Sequence, residues 1–272
     1  MSVDIGPIGV IAEKEFWDRI RNRWVLAVAA VFAIFALAIA YLGTAQQGAI
    51  GFRGIDVTIA SLVSLVILLV PLIAFLLGYD AIVGERDKGS LDLLLSMPIT
   101  RLELLLGKFC GLALALAFST VAGFGLAGVM LSYHVGLGAL YKYAVFLASA
   151  LLLGWAFLSL AVMISVTTGN RIRASGLAIA LWFFYVLVYD LVLLGLVVAS
   201  GGGFKLTVLP ALLMLNPADV FRVLNVFGFD EVKRMYGLAT VLPDAMTSPW
   251  LMLTAMLVWI VAPLGVAIWR FR

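Results

Sequence analysis

Six stretches of this 272-residue chain run for about twenty residues with almost no charge, at about 24–43, 57–79, 109–132, 143–168, 174–199 and 250–269. A run of roughly 20 apolar residues spans a bilayer. Inside lipid, backbone N–H and C=O groups find no water, so each run must pair its own backbone as a helix. The runs are continuous and do not alternate, which excludes a transmembrane barrel. Composition agrees: 64% of residues are hydrophobic and 12% charged, against about 45–50% and about 25% in soluble domains. The expected fold is an all-α polytopic membrane protein with six transmembrane helices, one domain over 1–272. The first run follows a charged segment and lacks a small-residue cleavage site, so it reads as an anchor and not a removable signal.

Basic residues orient the spans. With both termini inside, twelve of the eighteen Lys and Arg residues face the cytoplasm. Four of the other six share one long loop, where charge counts less. Both termini and the 84–108 insert are therefore expected in the cytoplasm. The net charge of +3 calls for no nucleic acid. One cysteine, Cys110, excludes an internal disulfide, and the single His134 excludes a histidine cluster; no metal site is expected.

Before the first span, IGVIAEKEFWDRIRNRW carries Ile8, Ile11, Ala12, Phe16 and Ile20 on one stripe, with Glu13, Lys14, Asp18, Arg21 and Arg23 mostly off it. This predicts an interfacial helix over about 8–23, lying along the membrane. It serves either as an anchor for the first span or also as a contact for a cytoplasmic partner.

The insert GERDKGSLDLLLSMPITRLELLLGK, residues 84–108, interrupts two apolar runs with charge, glycine and proline. Gly84 and Gly89 can turn the chain. Ser90 is placed to cap a helix beginning at Leu91, with Asp92 in its first turn. Leu91, Leu94 and Leu95 form its apolar face, and Pro98 stops it. Thr100 and Glu103 have the spacing of a capping box for a helix that continues through Lys108 into the third span. Two readings fit this short helix: docking on a cytoplasmic protein, or a connector lying on lipid.

The outer loop, about 200–249, is too long for an idle connection. Gly201–Gly203 ends the fifth span, and VLPALLML is apolar but too short to cross. In NPADVFRVLNVFGF, Asn216 suits an N-cap, Pro217 the first helical position and Gly228 the stop. Asp230 suits the cap of a second short helix through Tyr236. These helices read as a lid on the spans or as a docking surface.

Asp190 lies within the fifth span, where a carboxylate is a functional-site hypothesis by default. No second acid or base is expected beside it at that depth, and the bland alternative is a hydrogen bond to another span. Asp80 ends the second span, with Arg101, Lys108 or Arg171 as possible partners. Pro71 and Pro263 mark bends within spans. Met252 and Met256, with Trp259, read as packing in preference to a copper pair. Gly123, Gly125 and Gly128 permit close helix approach. The chain has no phosphate-binding glycine loop, zinc-protease motif or nucleophile elbow, so no catalytic residue is expected.

These pieces together resemble the type-2 ABC-transporter permeases. The residues that carry the resemblance are Glu85, Gly89-Ser90, Leu91–Leu95, Pro98, Arg101 and Gly107-Lys108. The resemblance implies that the insert is a coupling helix seated on a separate ATPase subunit, with Arg86, Asp87 and Lys88 as its charged shoulders. ATP and Mg would then belong to that partner, and no cofactor to this chain. Within the family, YDAIVGERDKGSLDLLLSMPITRLELLLGKF, WFFYVLVYDLVLLGLVV and LPALLMLNPADVFRVLN look like the permease subunits that serve copper-centre maturation of nitrous oxide reductase. That likeness implies an inner-membrane homodimer, two ATPase subunits, and a periplasmic β-helical partner. It makes Asp219, Phe221, Arg222, Leu224, Asn225, Phe227 and Phe229 candidates for docking that partner. A gradient-driven transporter using Asp190 is the alternative.

Overall fold

A computed structural model describes residues 5–21, 23–42, 55–135, 137–199, 209–226 and 248–271. No strand occurs among them. The helices are α1 (Ile5–Arg21), α2 (Trp24–Leu42), α3 (Ile55–Gly78), α4 (Val83–Asp87), α5 (Ser90–Leu95), α6 (Arg101–Val135) and α7 (Leu137–Thr167). They continue with α8 (Arg171–Phe183), a π-helical turn (Phe184–Val188) leading into α9 (Tyr189–Ala199), then α10 (Leu209–Met214), α11 (Pro217–Val226) and α12 (Pro249–Arg270). Five of the described helical segments are long and apolar enough to cross a membrane alone. α1 and α2, taken together across a bend of 64°, make a sixth candidate. Arg23 makes that bend with a left-handed φ of 54°.

α1 lies along the start of α6 as an amphipathic element should: Ala12 and Glu15 are buried, while Glu13, Lys14, Trp17 and Asp18 are exposed. Two glycines on α6 set that distance. A Cβ on Gly107 would meet Ile11 Cβ at 2.7 Å, and one on Gly111 the Ala12 carbonyl oxygen at 2.6 Å. Further along α6, Gly123 lies against Ala29 and Phe32 of α2, and a Cβ on Gly128 would meet the Tyr143 ring at 2.5 Å. Of the three glycines expected to permit close approach, Gly125 alone meets no neighbouring helix.

α7 runs through the middle, packed by α3, α6 and α12. Aromatic rings tie these layers together. Phe32 stacks on Phe124 at 4.8 Å, Phe124 meets Phe146 at 6.3 Å, and Phe146 meets Phe221 of α11 at 6.1 Å. Met252 and Met256 are buried in this core. By contrast, α8 and α9 keep most of their surface exposed.

Proline removes a backbone donor and loosens the preceding turn of a helix. In the turn before each intramembrane proline, a backbone carbonyl accepts a hydrogen bond from another span. The Trp182 indole donates to the Leu68 carbonyl at 3.1 Å, three residues before Pro71. The Ser159 hydroxyl donates to the Ile260 carbonyl at 2.6 Å, three residues before Pro263.

α1, α4, α5 and the last turn of α12 gather at one end of the bundle, where the Arg101 guanidinium sits over the Phe271 ring at 5.9 Å. α10 and α11 belong to the other end. Gly201–Gly203, Phe227, Gly228, Phe229 and the helix expected over Asp230–Tyr236 lie outside the described residues.

Candidate functional site

The insert between the second and third spans folds as two short helices joined by a tight turn. Gly89 makes the turn with φ of 71°, a left-handed conformation that glycine adopts without strain. Gly84 does not turn the chain; it lies inside α4, beside Asp80. Ser90 was expected to cap α5, but it is the first helical residue, and its side chain makes no cap. Its hydroxyl donates to the Glu85 carboxylate instead. The capping box at the next helix forms: the Thr100 N–H donates to Glu103 Oε2 at 2.8 Å, and the Glu103 N–H to Thr100 Oγ1 at 3.2 Å. α6 therefore runs unbroken from Arg101 through the third span.

The faces of α5 are divided differently from the expectation. Leu91 is buried, and Leu94 and Leu95 are partly buried against the core. These leucines hold the helix to its own protein. The outward side presents Asp92, Ser96, Met97 and Leu93, which is 67% exposed. Leu93 lies within the Leu91–Leu95 stretch that carries the resemblance but not on its expected apolar face, because a helix of 6 residues is too short for periodicity to separate its faces.

Ion pairs bind this insert to the rest of the bundle end. Lys108 Nζ, on α6 and 3% exposed, lies 3.3 Å from Glu15 Oε2 of α1 and 3.1 Å from Glu85 Oε1 of α4. Glu85 in turn accepts from Ser90. One ammonium thus joins α1, α4, α5 and α6. Glu15 did not figure among the candidate residues, because a single acid in an amphipathic helix reads as solvated. Asp80 pairs with Arg171 at 3.0 Å, one of the three partners expected for it, and also faces Arg19 at 3.8 Å. Asp80 Oδ1 has no hydrogen-bond donor. The Arg171 N–H donates to Asp87 at 2.8 Å, and Arg86 to the Thr168 carbonyl at 2.9 Å. The Ser165 hydroxyl accepts from the N–H groups of Ile82 and Val83, at 2.9 and 3.0 Å. Arg101 is turned away from this network and donates to the Phe271 carbonyl at 3.5 Å. These bonds fix the insert to its neighbours through Glu85, Arg86, Asp87 and Lys108, and Leu93 and Met97 stay exposed.

At the other end, Asp190 is not alone. Arg222 of α11 holds it with both guanidinium arms, at 3.2 and 2.8 Å, and reaches Asp219 at 2.5 Å. Sequence reasoning missed this partner because Arg222 lies in the loop, not in a span. The local fold explains the meeting. The Tyr185 carbonyl, within the π turn, accepts from Asn216 Nδ2 at 2.9 Å. Asn216 caps α11 as expected, its Oδ1 accepting from the Ala218 N–H at 3.0 Å. The Tyr189 hydroxyl donates to the Leu212 carbonyl at 2.6 Å, and the Trp259 indole to Met214 at 3.0 Å. Burial pushes the Asp219 carboxyl up to about 7, against the pull of Arg222 and with the help of Asp190.

Of the residues expected to dock a partner, three are buried by this seating. Asp219, Phe221 and Asn225 are buried among the spans; Asn225 Nδ2 donates to Ser149 at 2.9 Å. They have no surface to offer a partner. Arg222 and Leu224 are half-buried, and Phe227 and Phe229 lie outside the described residues. Among the described residues no group of His, Cys, Asp and Glu could hold a metal ion.

Residues 10–272 match the family model described as ABC-2 family transporter protein. The chain is 45% identical over 266 residues to the probable ABC transporter permease protein NosY of Stutzerimonas stutzeri, covering 96% of each sequence. It is 43% identical to the probable ABC transporter permease protein NosY of Pseudomonas aeruginosa, covering 97% of this chain and 98% of the relative.

Proposed function

Because this chain belongs to the ABC-2 family of transporter proteins, we propose that it is the permease subunit that receives ATP-driven motion from a separate ATPase subunit. The carrying observation is the insert itself. It is a short helix tied through Lys108 to α1 and α6, with Leu93 and Met97 left outward. A connector lying idle on lipid has no need of a buried ammonium shared by two carboxylates. In this reading the end bearing the insert and both chain ends is cytoplasmic, in a bacterial inner membrane. The chain works as a homodimer with two ATPase subunits, and ATP and Mg are held by those subunits. The resemblance of the sequence carries the further proposal of a role in copper-centre maturation of nitrous oxide reductase, with a periplasmic β-helical protein at the far end; the relatives are each a probable ABC transporter permease protein NosY. Motion entering at α5 passes along α6 and α3 to α11, either moving a substrate or acting on that periplasmic partner.

The gradient-driven alternative rested on a solitary Asp190, and Arg222 now holds that carboxylate on both oxygens. The test is co-purification with the ATPase subunit. Leu93→Asp is expected to abolish it while the permease stays folded, since the side chain is exposed. Full ATPase recovery with Leu93→Asp would overturn the assignment.

A further inference from the structure

Between α1, the residues after α3, α4 and the start of α8 lies a cavity of about 390 Å³, to which α5 contributes nothing. Its lining is charged: five cations, Lys14, Arg19, Lys88, Lys108 and Arg171, meet four carboxylates. The cations are not equally committed. Lys108 is spent on Glu15 and Glu85, and Arg171 holds Asp80 at 3.0 Å. The Arg19 guanidinium stands 3.7 Å from Glu15 and 3.8 Å from Asp80. Both distances exceed hydrogen-bond length, so its donors are unspent. Lys88 is exposed and pairs with no described carboxylate. Lys14 meets Asp18 at 3.1 Å in an exposed pair, a contact that contributes little. The cavity thus holds one surplus positive charge and three cations free to turn toward a ligand.

Three such cations suit an anion that carries several acceptor oxygens on one centre, and a phosphate group does so. Glu15, Glu85 and Asp80 are held by Lys108 and Arg171, so they do not face that anion as bare carboxylates. The depth of the cavity points to the source. Trp17 and Trp269 are exposed at this end of the bundle, and tryptophan collects at the headgroup level of a bilayer. Basic pockets between spans at that level suit anionic headgroups. We infer that this cavity is a binding site for the phosphodiester of an anionic phospholipid, with Arg19 and Lys88 as its ligands and Lys14 at its rim. The headgroup bridges α1, α4 and the start of α8. It therefore braces elements that the protein itself joins through Lys108 and Asp80.

The experiment uses the full permease, purified in mild detergent and stripped of lipid by exchange. Phosphatidylglycerol, phosphatidylcholine or inorganic phosphate is then added. Retained lipid is counted by native mass spectrometry, and thermal unfolding is followed in parallel. Wild type is expected to bind phosphatidylglycerol about tenfold more tightly than the double variant Arg19→Gln/Lys88→Gln. Arg173→Gln, at an exposed arginine outside the cavity, is expected to match wild type. Equal retention by wild type and the double variant would overturn the inference, as would equal retention of phosphatidylcholine and phosphatidylglycerol by wild type. Inorganic phosphate that stabilises wild type as much as phosphatidylglycerol does, with both effects lost in the double variant, would keep an oxyanion site and overturn its lipid source. Should the double variant fold poorly, Lys88→Glu changes one exposed side chain alone. Loss of phosphatidylglycerol in that variant supports the site, and undiminished retention overturns it.

Discussion

Lys108 carries the account at the scale of single residues. It is a buried ammonium shared by Glu15 and Glu85. Breaking a buried pair by removing one partner leaves an uncompensated charge and costs about 3–5 kcal/mol. Lys108→Met is therefore expected to lower the thermal stability of the detergent-solubilised permease sharply. Adding Glu15→Gln should recover part of the loss, because one orphaned carboxylate is then gone. A stability unchanged by Lys108→Met would mean that the ammonium is not shared as described. Asp219 gives a second test. Its carboxyl, raised from 3.8 to about 7, holds a proton in the folded state that the unfolded chain releases. The stabilisation from that proton is full below the ordinary carboxylate value and is lost as pH rises through about 7. Thermal unfolding of wild type should fall relative to Asp219→Asn between pH 5 and pH 7.5. Parallel curves for the two proteins would contradict the raised value. Lys108 was visible in the sequence as half of a Gly-Lys pair, yet its partners were not. Glu15 comes from a helix folded back against α6, and no local pattern announces a contact between residues so distant in the chain.

At the scale of elements, the capped helices were the most legible. Thr100 and Glu103 fix the start of α6, and Asn216 with Pro217 fixes the start of α11, because caps are written in adjacent residues. The short helix α5 was legible in place but not in orientation. Its leucines occupy more than one face, so sequence alone could not say that Leu94 turns inward and Leu93 outward. Leu94→Asp is accordingly expected to destabilise the permease itself, by placing a charge beside the core, whereas Leu93→Asp leaves its thermal stability near wild type. Equal stability of the two variants would show that the faces of α5 are assigned wrongly. The π turn at Phe184–Val188 had no sequence signal, and with it the seating of Asn216 and Arg222 was hidden. The α1–α6 seam makes its own prediction. Gly111→Leu drives a side chain into the Ala12 backbone, which stands 2.6 Å from even a Cβ. ATPase stimulation by the permease should be lost even where ATPase binding persists at Leu93. Normal stimulation in Gly111→Leu would mean that α1 need not ride with α6.

For the whole molecule, the arrangement is a lever with two charged ends and an apolar shaft. One end is the insert tied to α1 and α6; the other is α11, held by Asn216, Arg222 and Asn225 against the spans. Between them, α7 packs on α3, α6 and α12, and the loosened turns at Pro71 and Pro263 are each restrained by one side-chain donor. In the proposed role, nucleotide bound by a separate ATPase subunit is felt at the far end through this chain. The direct measurement is the distance between spin labels at Leu215→Cys on two copies, with Cys110→Ser as background, in the complex with the ATPase subunit. Trapping nucleotide is expected to shift this distance in the wild-type background and to leave it fixed with Leu93→Asp. No shift in the wild-type background, or the same shift with Leu93→Asp, would contradict it.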